Sequence, residues 1–70
     1  MTRLPHNPPR LTGEDGRSYG LFLTYCYYAH WWVRPYEAVA DAHAVTQAAV
    51  ATCAARWHWD VRFDSWFNTL

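Results

Sequence analysis

Lysine and isoleucine are absent from this chain, and the only methionine is Met1. All six basic residues are arginines, and six acidic residues balance them to a net charge of zero. A protein that grips phosphate backbones is ordinarily clearly basic, so this balance disfavours nucleic acid as a partner. A GC-rich coding sequence explains the missing Lys and Ile more simply than selection for arginine-rich contacts. Two cysteines, Cys26 and Cys53, are too few for a disulfide framework. Their apolar neighbours read as buried free thiols of a reducing compartment.

Long apolar runs are missing too. A bilayer span takes about 20 consecutive apolar residues. The richest stretch, 21–33, is shorter and carries Tyr, Thr and His. The first residues, Met1-Thr2-Arg3-Leu4-Pro5, lack the apolar segment of a secretory leader. The expectation is a cytoplasmic protein with no membrane association.

Catalytic and cofactor signatures are equally scarce. Ser18 and Ser65 are the only serines, and neither sits in a nucleophile-elbow context. No glycine-rich phosphate loop is present. His30, His43, His58, Cys26 and Cys53 are the conceivable metal ligands, but none forms a short-spaced ligand pair. Asp41 with His43 and His58 with Asp60 are acid–histidine pairs two residues apart. Such pairs face apart on a helix and together on a strand. The expectation is a protein that is not an enzyme and holds no cofactor or metal.

Aromatic surface is what the chain has in quantity: five Trp, five Tyr and three Phe, within a hydrophobic fraction of 51%. Each ring can bury about 150–250 Å², far too much apolar area for a disordered tail. A single domain of this length has a radius of gyration of roughly 11 Å and a marginal core. The rings exceed what such a core can hide.

Local patterning divides the chain into an arm and a domain. Residues 1–18 hold three of the four prolines and two of the three glycines, and read as an N-terminal arm or loop with a turn at Asp15-Gly16. Residues 19–70 read as one small domain. In 19–33 every odd position is apolar or aromatic, which argues for a strand that must bend or break; two strands or a helix remain open. Residues 36–56 are Ala-rich behind Pro35 and read as one helix. Its stripe is Val39, His43, Thr46, Val50, Cys53 and Trp57. In 57–64, Trp57, Trp59, Val61 and Phe63 alternate with polar residues, the pattern of a half-buried strand. The expected fold is α+β: one helix on a two- or three-stranded sheet in β-α-β order, with Trp57 in the core.

An open sheet with surplus rings requires a cover. The expected function is therefore a small protein-binding module, an accessory subunit or inhibitor, and a homodimer. The even-numbered face of 19–33 supplies the partner-facing set: Phe22, Tyr28, His30 and Trp32, with Arg34 beside them. Small phage and mobile-element inhibitors share this size and lack of motifs. Two alternatives use the same material. Bases could stack on Tyr28 and Trp32 while Arg10, Arg17 and Arg34 meet phosphates of a single strand, or the chain could be a structural subunit of a larger assembly.

Overall fold

A computed structural model of the chain describes residues 8–68. Among these residues there is no strand; four helices occur instead. They are α1 (Gly16–Ala29), α2 (Pro35–His43), α3 (Gln47–Arg56) and α4 (Trp59–Phe67). This overturns the α+β expectation, and each misread segment has a physical reason.

In α1 the buried residues are Leu21, Phe22, Tyr25 and Cys26, with Ala29 packed against them. Paired positions one turn apart are a helical stripe, not an alternation. Nearly every residue of 19–29 is apolar, so polarity marked no phase, and tertiary packing outweighed the β-preference of the rings. The Asp15-Gly16 turn signal is a helix start. The Asp15 carboxylate accepts from Ser18 N at 3.4 Å and caps α1.

The segment expected as strand 57–64 is mostly α4. Trp59 and Trp66 are buried, Arg62 and Phe63 are half-buried, and Val61 is 71% exposed. Spacing of three to four residues replaces spacing of two. Trp57 lies only half-buried before the helix, so the central ring is Trp59 and not Trp57.

The long helix expected over 36–56 is broken in two. Ala44 adopts the left-handed conformation, φ 55°, ψ 43°, which closes α2 as an αL cap. Val45 N donates to Ala40 O at 3.0 Å. Thr46 then restarts the chain: its Oγ1 accepts from Ala49 N at 3.1 Å and caps α3. A threonine cap satisfies one of the orphan amides that every helix start leaves. The alanine-rich composition was a good reading of helicity but concealed this break.

Residues 8–15 are not a loose arm, although the first seven positions of the expected arm lie outside the described residues. Glu14 is the one buried charged residue of the described core, at 3% exposure. Arg62 from α4 meets both its carboxylate oxygens at 2.9 Å. The same guanidinium donates to Trp57 O at 3.3 Å and Pro9 O at 3.1 Å, and its Cζ stands 3.9 Å from the Phe22 ring centroid. Leu11 N donates to Glu14 at 3.0 Å, and Tyr19 OH donates to Pro8 O at 2.6 Å. A bidentate, stacked arginine is the strong form of an ion pair. It ties the N-terminal segment to the last helix.

The core between these elements is aromatic. Trp59 is fully buried, with ring centroids of Tyr25 at 5.0 Å, Phe22 at 5.9 Å and Tyr36 at 6.1 Å. Val39 of α2 and Val50 of α3 are fully buried with it. The radius of gyration is 11.6 Å.

Candidate functional site

Two surfaces remain after the core is filled. The first is the outer face of α3. Val50 and Ala54 are buried, and Cys53 and Trp57 half-buried, so this side of the helix is fixed against the core. Gln47, Ala48, Ala51, Thr52, Ala55 and Arg56 are exposed on the other side. No acidic residue occurs between Asp41 and Asp60, so α3 and the segments flanking it carry no carboxylate. Arg56 lies with its guanidinium 5.3 Å from the Trp57 ring centroid. A shallow groove beside α3 is lined by Gly13, Asp15, Ser18, Thr52, Cys53 and Arg56, which places the start of α1 next to the end of α3. The Asp15 carboxylate there is held below its ordinary range, chiefly by its hydrogen bond with Ser18.

The path through α2, the turn 44–46 and α3 has a definite form. Val39 and Ala40 bury the first helix, a left-handed residue opens the turn, half-buried Val45 plugs it, and Thr46 caps the second helix. Two short helices joined by three residues, the second with an exposed outer face, share the connectivity of a helix-turn-helix. The sequence reading missed this surface. The signal was present in the stripe itself: His43 and Thr46 were counted among its inward positions, yet both are exposed. Two polar members in succession mark a break in phase.

The second surface is aromatic and lies at the C-terminal end of α1. Tyr27 is 59% exposed, Trp31 53% and Trp32 44%. Centroids of Tyr28 and Trp31 are 5.5 Å apart, and those of Trp31 and Trp32 5.6 Å apart. A groove of about 460 Å³ runs between these rings and α2, lined by Tyr28, Trp31, Trp32, Glu37, Ala38 and Asp41.

The five residues expected to face a partner are divided by the fold. Phe22 is fully buried and faces the core, because α1 turns it inward with Leu21. Tyr28, half-buried, and Trp32, exposed, share the aromatic groove. His30 is exposed; its Nδ1–H donates to Cys26 O at 3.2 Å, and its ring stacks on Phe67 at 6.0 Å. Arg34 is exposed and lines a different groove, with Tyr25, Tyr36 and Asp60. Tyr27 and Trp31 went unremarked as surface residues because the alternating pattern assigned odd positions to the core.

Titratable groups near the core are dominated by burial. It pushes the Cys26 thiol up to about 12. It also raises Tyr25 well above its ordinary value, helped by the Asp60 carboxylate that accepts from its hydroxyl at 3.3 Å. Tyr36 is raised by the same two causes. A buried thiol so shifted is protonated at neutral pH and is a poor nucleophile. Cys53 is free and half-buried. His43 shares a 2.8 Å hydrogen bond with Thr24, and His58 initiates α4. Among the described residues no three His, Cys, Asp or Glu side chains come together as metal ligands. No helix of the described residues is long and apolar enough to cross a membrane.

The chain matches no family model, no curated protein and no solved structure.

Proposed function

We propose that the chain is a double-stranded DNA-binding module whose α3 enters the major groove. One observation carries this reading. A helix held from behind by Val50 and Ala54, with no acidic residue of its own, presents an exposed face of small residues directly after a three-residue turn. In proteins that use this arrangement the second helix reads base edges with its N-terminal residues while the first crosses the backbone. The residue types suit the task. Gln47 can bond the N6/N7 edge of adenine, and the methyl groups of Ala48, Ala51 and Thr52 suit thymine methyls. Their small size permits close approach. Arg56 and Arg17 are exposed and suit phosphates. Zero net charge is a sum over the whole chain. Of the six carboxylates, Glu14 is spent on Arg62, Glu37, Asp41, Asp60 and Asp64 belong to α2 and α4, and Asp15 caps α1 beside Thr52 and Arg56.

The test is selection from a randomised duplex pool, followed by fluorescence anisotropy on the enriched sequence. Binding should weaken with salt at a log–log slope of roughly −2 to −3, the shallow dependence of a few phosphate contacts. Gln47→Ala should cost about 1–3 kcal/mol on the selected duplex and little on others. Arg56→Ala should weaken all duplexes alike. An unenriched pool, or a selected duplex indifferent to both substitutions, defeats the reading.

A second reading, protein binding, is supported by the exposed rings Tyr27, Trp31 and Trp32 beside Val33, which is 87% exposed. Contiguous exposed rings of this kind mark interaction surfaces. The two readings rest on different residues, although Val33 and Gln47 line one groove.

A further inference from the structure

We infer that the groove between the end of α1 and α2 is a receptor for an arginine side chain presented by a partner protein. This rests on the second reading and supplies the partner's chemistry. The groove has two unlike walls. One is aromatic: Tyr28, Trp31 and Trp32, the last two about half exposed. The other is α2, where Glu37 and Asp41 stand one turn apart on one face. Among the described residues neither carboxylate has a side-chain hydrogen bond or ion pair.

Each wall alone is ordinary: rings at the surface are apolar area, and carboxylates reached by water, half-buried Glu37 and exposed Asp41, are solvated. Together they select a ligand that is flat, cationic and a hydrogen-bond donor on its edge. An aromatic face attracts a cation through its quadrupole, and Trp does so best. A carboxylate accepts a guanidinium through paired N–H bonds. Arginine satisfies both at once because it stacks with its plane and donates with its rim. Lysine offers a point charge and cannot do both with the same geometry. Neutral apolar ligands would leave the carboxylates desolvated and unpaired, which is costly. Arg34 lines the neighbouring groove with Tyr25, Asp60 and Glu37 and forms no ion pair with Glu37.

The surface adjoins the proposed DNA face at Glu37, which also lines a neighbouring groove with Gln47, but is built from other elements. Its lining residues belong to α1, α2 and the link between them, and none belongs to α3. The same α2 thus carries the first helix of the helix-turn-helix and, on another side, one wall of the receptor.

The test uses the full chain and a capped Gly-Arg-Gly peptide, with citrulline and lysine peptides as comparisons. The five tryptophans give five indole N–H resonances, assigned by single Trp→Phe variants. The arginine peptide should shift the resonances of Trp31 and Trp32 and leave that of buried Trp59 in place. Citrulline, which keeps the shape and loses the charge, should bind at least about tenfold more weakly, and the Glu37→Gln/Asp41→Asn pair should weaken the arginine peptide by a similar factor. Circular dichroism of that variant should match the parent, because both residues lie outside the core. Equal responses to arginine and citrulline, or no shift at millimolar peptide, would overturn the proposal. Light scattering supplies the competing outcome: a dimer that dissociates on Trp32→Ala would assign the surface to a second copy of the chain and overturn it too.

Discussion

At the scale of single residues, Arg62 and Glu14 do the most for their size. The Glu14 side chain is fully covered and that of Arg62 nearly so, so removing one member leaves the other buried without its partner. Glu14→Gln is expected to lower the unfolding free energy by about 3–5 kcal/mol, measured by urea titration. Replacing both, as Glu14→Leu with Arg62→Met, should recover most of that loss, because well-packed apolar pairs often match buried ion pairs. Trp59 and Trp57 give a second contrast. Trp59→Ala empties the centre of the core and should cost about 3–5 kcal/mol. Trp57→Ala removes a half-buried ring and should cost roughly 1 kcal/mol. Equal costs would mean that the two rings share the core. The thiols differ in the same way. An alkylating reagent at neutral pH should modify Cys53 in the native protein and reach Cys26 only on unfolding, since burial holds the Cys26 thiol protonated. Little of this was readable beforehand. Arg62 and Glu14 are 48 positions apart, and nothing local in either segment announces the pair.

At the scale of elements, the turn after α2 decides what the chain can do. Continued as one helix, 36–56 would present no separate α3. Ala44 takes a left-handed conformation that suits glycine and strains a residue with a Cβ. Ala44→Gly should therefore raise stability, by about 0.5–1 kcal/mol after the entropy of the freer unfolded chain is subtracted, with duplex binding unchanged. A thermal melt checks the first part and anisotropy the second. A loss of stability would show that the strain is negligible. The presence of helix between Pro35 and Arg56 was legible, since alanine favours helix wherever packing permits. The break was not, because Ala44 lacks the glycine that usually marks a left-handed cap. The aromatic segments were illegible for a different reason. Periodicity needs contrast between apolar and polar positions, and 19–29 has almost none. In 57–64 the contrast existed but was short enough to fit period two. There the turn of α4 placed Arg62 over Phe22, and a charged residue became part of the core.

At the scale of the whole molecule, the ring surplus is partly absorbed and partly displayed. Phe22, Tyr25, Trp59 and Trp66 are buried, while Tyr27, Trp31, Trp32 and Phe67 are exposed. The buried acids of this core make the fold sensitive to base. Cys26, Tyr25 and Tyr36 all have pKa values raised by burial. For a raised group, the stabilisation is complete below the unfolded-state value and is lost as pH climbs through the folded one. The unfolded values are near 9.0 for the thiol and 10.0 for the phenols. Stability should therefore be flat near neutrality and decline from about pH 9 upward. Circular dichroism followed together with tyrosinate absorbance checks this. Ionisation of Tyr25 or Tyr36 before helix is lost, separated from the other tyrosines by single Tyr→Phe variants, would contradict it. On the acid side the cap at Asp15, whose carboxyl is held low, should weaken as pH falls through that depressed value.

Composition alone determined that the chain would form a compact, ring-rich domain with an alanine-rich helical stretch. It also determined that rings would remain at the surface, because a chain of 70 residues has too little interior. Tertiary structure decided the rest. Whether an aromatic run becomes strand or helix depends on what packs against it, and here Phe22 and Tyr25 meet Trp59 in a core that Val39 and Val50 share. Which charges would be buried, and where the long helix would break, were likewise set by contacts between residues far apart in sequence, which no local pattern encodes.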